Sequence, residues 1–160
     1  MSRVAHFQAM QRYEEWASGK TLDALRSAEA GAAAEFKRAM GIFGHIQSAR
    51  HEWLFRFGQI AKRPWVMFPD WTVDEAAADA KRLDGLWSAF LAKLMDADLD
   101  GEVEYKSNEG KPFVSRRRDM LTHVYNHSTY HRGQIAILVK MAGGTPPDST
   151  DFVVFSRRSG

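Results

Sequence analysis

The chain has 160 residues, with 22 basic and 20 acidic side chains, a formal net charge of +2 and no cysteine. That length suits one domain, residues 1–160, with a sizeable core, and the charge balance is unlike the clustered basic face of a nucleic-acid binder. Without cysteine there are no disulfides, thiolate ligands or thiol nucleophiles, so histidine and carboxylate are the strong metal ligands that remain.

The opening MSRVAHFQAM contains no uninterrupted apolar run, which predicts neither a secretory signal nor a membrane span and points to a cytoplasmic protein. Residues 3–28 carry Phe7, Met10, Ala17, Leu25 and Ala28 at helical spacing with charges between them, the pattern of an amphipathic helix. Tyr13 and Trp16 are expected to pack, and His6, at the margin of the stripe, to be structural or solvated. A second helix over 33–57 presents Phe36, Met40, Phe43, Ile46, Trp53, Leu54 and Phe57 on one broad face. Its His45 and His51 are six residues apart and point about 120° away from each other, so at most one can join a site on a neighbouring helix. Both lie near the margins of the stripe, and the wheel does not choose between them. Glu52 is a further candidate ligand or base, although a surface position is commoner for a glutamate.

Pro64 and Pro69 argue against a helix over 62–71. The aromatics of that loop, Trp65, Phe68 and Trp71, can wall a ligand pocket or, more commonly, cap the core. Thr72 with Glu75 makes a capping box opening a third helix, which runs through Leu83, Leu86, Phe90 and Leu94 to about Met95. Over 98–115 the periodicity stops, and two short apolar runs flank Ser107, Asn108, Glu109 and Gly110, so a hairpin or an extended crossover is expected. Ser115 is the expected N-cap of the last helix, although Arg116, Arg117 and Arg118 in its first turn oppose the helix dipole. Such a cluster can bind an anion; a solvated face is its commoner role.

The last helix carries His123, His127 and His131 at four-residue intervals within HVYNHSTYHRGQ. Residues four apart stack on one face, so the His127 and His131 rings can converge on one ion. His123 and His131 are two turns apart, about 12 Å along the axis, too far for all three to share it. On the wheel, Met120, Val124, Ile135 and Leu138 form an apolar stripe with His127 and His131 inside it and His123 at its edge. An unsatisfied buried imidazole costs about 1–3 kcal/mol; a shared metal would satisfy both rings, and separate bonds to carbonyls or carboxylates are the alternative. Gly133 suggests close approach to another helix. The helix ends at Gly143 and Gly144, ahead of Pro146 and Pro147, and the tail TDFVVFSRR is expected to fold back. These elements predict an all-α protein, a four-helix bundle with a long crossover between helices 3 and 4, whose second and fourth helices face each other.

Four segments in this order, YEEWASGKTLDAL, GHIQSARHEWLFRF, HVYNHSTYHRGQI and GGTPPDSTDFVVF, make nearly the whole chain resemble the DinB family, and the fourth-helix motif is the most specific of them. The resemblance implies a four-helix bundle, often a homodimer, in which three histidines bind a divalent metal such as zinc or nickel. It places the second-helix ligand on His45 and the HxxxHRGQ ligands on His127 and His131. His51 has no identified counterpart, and Tyr130 stands where many relatives have a second histidine just before the ligand.

Three neutral imidazoles leave the ion's double charge uncompensated and at least one coordination position open, as in a catalytic site. Relatives in the wider superfamily act as transferases or isomerases dependent on low-molecular-weight thiols. The resemblance therefore ranks first a metal-dependent thiol S-transferase acting on a small-molecule substrate. Metal-dependent hydrolysis comes second, and would want a general base, for which Glu52 and His123 are the candidates. The third reading is a dimeric, metal-stabilised stress protein without catalysis. Nothing resembles a polymerase or a repair nuclease, so no DNA binding is expected.

Overall fold

The computed structural model describes residues 2–31, 33–62 and 66–157, and contains four long helices, α1 (Arg3–Ala28), α2 (Ala34–Arg56), α3 (Val73–Ala92) and α4 (Arg117–Met141). α2 packs most extensively against α4, α1 against α3 and α4, and α2 also against α3, so each helix has two principal neighbours in a bundle. α1 has no side-chain cap of its own. Asp96 supplies one from beyond α3, accepting from the backbone amides of Arg3 at 3.0 Å and Val4 at 2.9 Å, which satisfies two open donors and sets a negative charge at the positive end of the helix. α3 opens with the expected capping box of Thr72 and Glu75.

Several local expectations change. α3 stops at Ala92 rather than near Met95, because Asp96–Asp100 winds into a 3-10 turn. The crossover is a hairpin, β1 (Glu102–Lys106) antiparallel to β2 (Pro112–Arg116). Ser115 is therefore a strand residue, and Arg116 takes the N-cap position without a side-chain cap bond. The arginines brace the turn: Arg117 donates to the Asp98 carbonyl and Arg118 pairs with Asp100. Gly133 marks no helix contact, since a Cβ there would meet nothing within 4 Å. Close approaches occur instead at Gly44, where a Cβ would lie 2.7 Å from the Pro69 ring, and at Gly144 against Ala28. Pro69 belongs to the α2–α3 connection, whose Val66 carbonyl also accepts from Ser48 Oγ at 2.8 Å; Pro64 and Trp65 lie outside the described residues. The tail does fold back. A short helix, α5 (Phe152–Ser156), sets Phe152 and Phe155 with ring centroids 5.4 and 5.8 Å from Tyr13, whose hydroxyl donates to the Thr150 carbonyl.

The interior is not uniformly apolar. One cluster gathers around Leu25, Phe43 and Val139 and a second around Leu54, Trp87 and Leu121. Along α1, α2 and α4, buried polar residues fall between the two, Gln11, Glu14 and Ser18 on α1, Gln47 and Arg50 on α2, Ser128 and Arg132 on α4, and half-buried Asp84 of α3 lies at the near edge of the second cluster, beside Leu83. Arg132 Nη1 donates to Glu14 Oε2 at 2.7 Å, and Arg50 Nη2 to Asp84 Oδ1 at 2.6 Å. Two guanidinium groups against two carboxylates balance, the condition under which desolvated charges are tolerated.

Candidate metal centre

α2 contributes His45 and α4 contributes His127 and His131 to one cluster, in which one ligand atom from each lies within 4.8 Å of the others. His45 Nε2 and His127 Nε2 are 3.2 Å apart. Two nitrogens on a tetrahedral zinc-type ion, each bonded at about 2.0–2.1 Å, lie about 3.3 Å apart, so this spacing suits two donors on one ion. His131 Nδ1 is 2.8 Å from Gln134 Oε1. An amide oxygen only accepts, so Nδ1 carries the proton and Nε2 keeps the lone pair a metal needs. His51 faces elsewhere, toward Asp79 and Arg82 of α3, as its angular separation from His45 requires.

All three cluster histidines are half-buried. The wheel set His127 and His131 inside the apolar stripe; in the structure the buried face of α4 centres on Val124, Ser128, Arg132 and Ile135, and the two histidines sit at its margin. The reason is the pull of the polar layer toward α1. Burial pushes the His127 pKa down to about 4, with the charges of His131 and His45 acting in the same direction. Burial also lowers His45, reinforced by His131 and opposed by the Met67 backbone. These two rings are thus neutral at neutral pH. Among the described residues no carboxylate belongs to the group, so the cluster offers lone pairs without an internal cation, and a divalent ion fits it.

A DinB family model matches residues 1–158. The chain belongs to the DinB family. A crystal structure of a DinB-like protein from Bacillus cereus aligns with a TM-score of 0.70 at 22% identity, covering 89% of this chain and 95% of that one, and shares its fold. No curated protein matches. Among the described residues, no helix is long and apolar enough to cross a membrane.

The remaining candidates in this DinB chain lie around the cluster rather than in it. Phe68 stacks on His45 with ring centroids 4.6 Å apart and planes 11° apart, while 59% exposed, so this loop aromatic walls the site instead of capping the core. The His123 ring lies 5.6 Å from His127 and 5.2 Å from Trp53. Its pKa is lowered by burial and by the charge of Arg56. Glu52 is not a surface residue: it is 5% exposed and pairs with Arg56 Nε at 3.1 Å. The hairpin explains the difference, because Tyr105 of β1 and Trp53 of α2 both lie against the Arg56 guanidinium, at 5.0 and 4.5 Å, and cover this end of α2. Tyr130 is exposed and meets His131 edge-on at 5.1 Å. Sequence reasoning missed Gln134 as the partner of His131, although its place three residues further along the helix puts it on the same face.

Proposed function

We propose that this DinB protein holds one divalent cation, zinc or nickel, on His45, His127 and His131 and transfers a low-molecular-weight thiol to a small electrophilic substrate. The carrying observation is the group of three histidines from two helices, half-exposed and without a carboxylate. His45, His127 and His131 would hold the cation, and as neutral ligands they would leave its charge uncompensated, so that it would supply a Lewis acid favouring the thiolate form of a thiol at neutral pH. The protein's own groups do the rest. Gln134 fixes the tautomer and orientation of His131, Phe68 screens one face of His45 from water, and a ring nitrogen of His123, beside His127, accepts the thiol proton. The sulfur bonds to the electrophilic carbon as the bond to the leaving group breaks, and the leaving group departs with the electron pair.

The proximity of His123 also supports the second reading, hydrolysis, with the same ring as general base toward water. Family membership supports a homodimer, which light scattering tests. The deciding experiment is elemental analysis of protein purified without a histidine tag, followed by a conjugation screen of metal-loaded protein with several cellular thiols. One metal per chain and thiol-dependent release of the leaving group are expected. Absence of metal defeats both enzymatic readings. Bound metal whose cobalt-substituted spectrum ignores added thiol, with no turnover, assigns it a structural role in a stress-associated protein.

A further inference from the structure

About 120° around α2 from His45, a pocket of about 630 Å³ opens between α2, α3 and the α2–α3 connection, well within the usual range of about 300–1,000 Å³ for small-ligand sites. Val66, Pro69 and Trp71 give it an apolar wall, and Lys62, His51, Asp79 and Arg82 give it a charged one. The DinB resemblance assigns no role to His51, and the metal centre does not use it.

The charged wall is over-committed. Arg82 Nη2 lies 2.8 Å from both Asp79 Oδ1 and His51 Nε2, while His51 Nε2 lies 3.2 Å from both Asp79 oxygens. If Nε2 carries a proton, it donates to Asp79, and Arg82 Nη2, which still donates to Asp79 Oδ1, turns its second N–H on another donor. If Nε2 carries a lone pair, it accepts from Arg82 and turns that lone pair on the carboxylate. One contact must therefore be poor. The Arg82 side chain is 56% exposed, against 13% for His51 and 14% for Asp79, so Arg82 is the member able to turn away. Among the described residues that line the pocket, Lys62 and Arg82 outweigh Asp79 by one positive charge.

We propose that this pocket is a second ligand site, taking a small organic monoanion: a carboxylate on an aromatic or aliphatic body. The carboxylate accepts from Arg82 and Lys62, His51 Nε2–H then donates to Asp79 alone, and the body lies along Trp71 and Val66. The loop that forms the apolar wall also carries Phe68, stacked on His45, so occupancy is felt at the edge of the metal centre. The proposal stands whether or not the metal reading does.

The test titrates the full chain, labelled with nitrogen-15, with phenylacetate, phenylacetamide and 2-phenylethylammonium, and follows backbone amide shifts. Phenylacetate should give saturable shifts centred on Ser48, Trp71 and Asp79, with the amide binding about tenfold more weakly or worse and the cation not at all. Arg82→Gln should weaken phenylacetate about tenfold without moving the melting temperature, because the side chain is largely exposed; Lys62→Met should weaken it less. Equal binding of acid and amide, indifference to Arg82→Gln, shifts centred on His45, His127 and His131, or no saturation would each overturn the proposal.

Discussion

On its α1 side, α4 buries Arg132 against Glu14 at 2.7 Å, with side chains 2% and 0% exposed. On its α2 side, one residue earlier, it turns His131 toward His45, and His127 stands one turn before that. Both seams carry polar groups in a bundle interior, and they are satisfied in opposite ways. The α1 seam is balanced charge against charge, although Arg132 Nε itself finds no hydrogen-bond acceptor. The α2 seam gathers three histidine rings with no carboxylate among the described residues, and it stays half-exposed, so a partner from solution can reach it. Buried polarity alone therefore does not mark a functional site; imbalance with access does.

The largest effect should come from unbalancing the first seam. Glu14→Gln leaves Arg132 buried without its countercharge and should cost about 3–5 kcal/mol in urea unfolding, whereas combining Glu14→Leu with Arg132→Met should recover most of that loss. Burial pushes the Glu14 carboxyl up, but Arg132 and Arg50 outweigh it and hold it below its ordinary value of 4.5. A carboxyl lowered on folding stabilises fully above its unfolded pKa, and the gain disappears as pH falls through the folded one. The acid limb of the stability curve should thus be flatter in Glu14→Gln. A variant within about 1 kcal/mol of wild type, well short of the cost of stranding a buried charge, would break the contrast.

The same truncation on the second seam should behave differently. His127→Ala removes a half-buried ring, so metal-free stability should change by about 1 kcal/mol or less, while bound zinc, read by elemental analysis, falls from one per chain to background. Gln134→Leu is milder: it removes only the acceptor that orients His131 and should weaken zinc about 10–100-fold in a chelator competition, with the fold intact. Unchanged affinity would mean that His131 is oriented by something else.

The α2 seam was the more legible of the two in the sequence. Four-residue spacing paired His127 with His131 directly, and the resemblance, not the wheel, chose His45 over His51. The polar layer escaped because charged residues were assigned to solvent, although Glu14 follows Phe7 by seven residues and Arg132 follows Val124 by eight, both apolar-stripe positions. Glu52 escaped for another reason: its burial depends on the hairpin's Tyr105 drawing Arg56 over that end of α2, a long-range contact no local pattern contains. The N-cap at Ser115 failed likewise, because strand pairing with Val103 claimed the residue.

Glycine gives the smallest and most discriminating pair of tests. A close approach belongs to the partner element as much as to the helix, so Gly133 looked tight in sequence and is open in space, while Gly44, adjacent to His45, faces the Pro69 ring. Gly133→Ala should stabilise the protein by up to about 1 kcal/mol, the helix-propensity gain with no contact to oppose it. Gly44→Ala gains the same propensity, yet its Cβ would lie 2.7 and 2.8 Å from two Pro69 ring atoms. A proline ring cannot swing aside as a long side chain can, so the loop must move, at an overpacking cost of about 1–3 kcal/mol. Because the same loop holds Phe68 on His45, Gly44→Ala should also shift the His45 ring resonances, and Gly133→Ala should leave them in place. Equal stabilisation by both alanines would show that the loop does not press on α2, and would remove the physical link between the loop and the histidine seam.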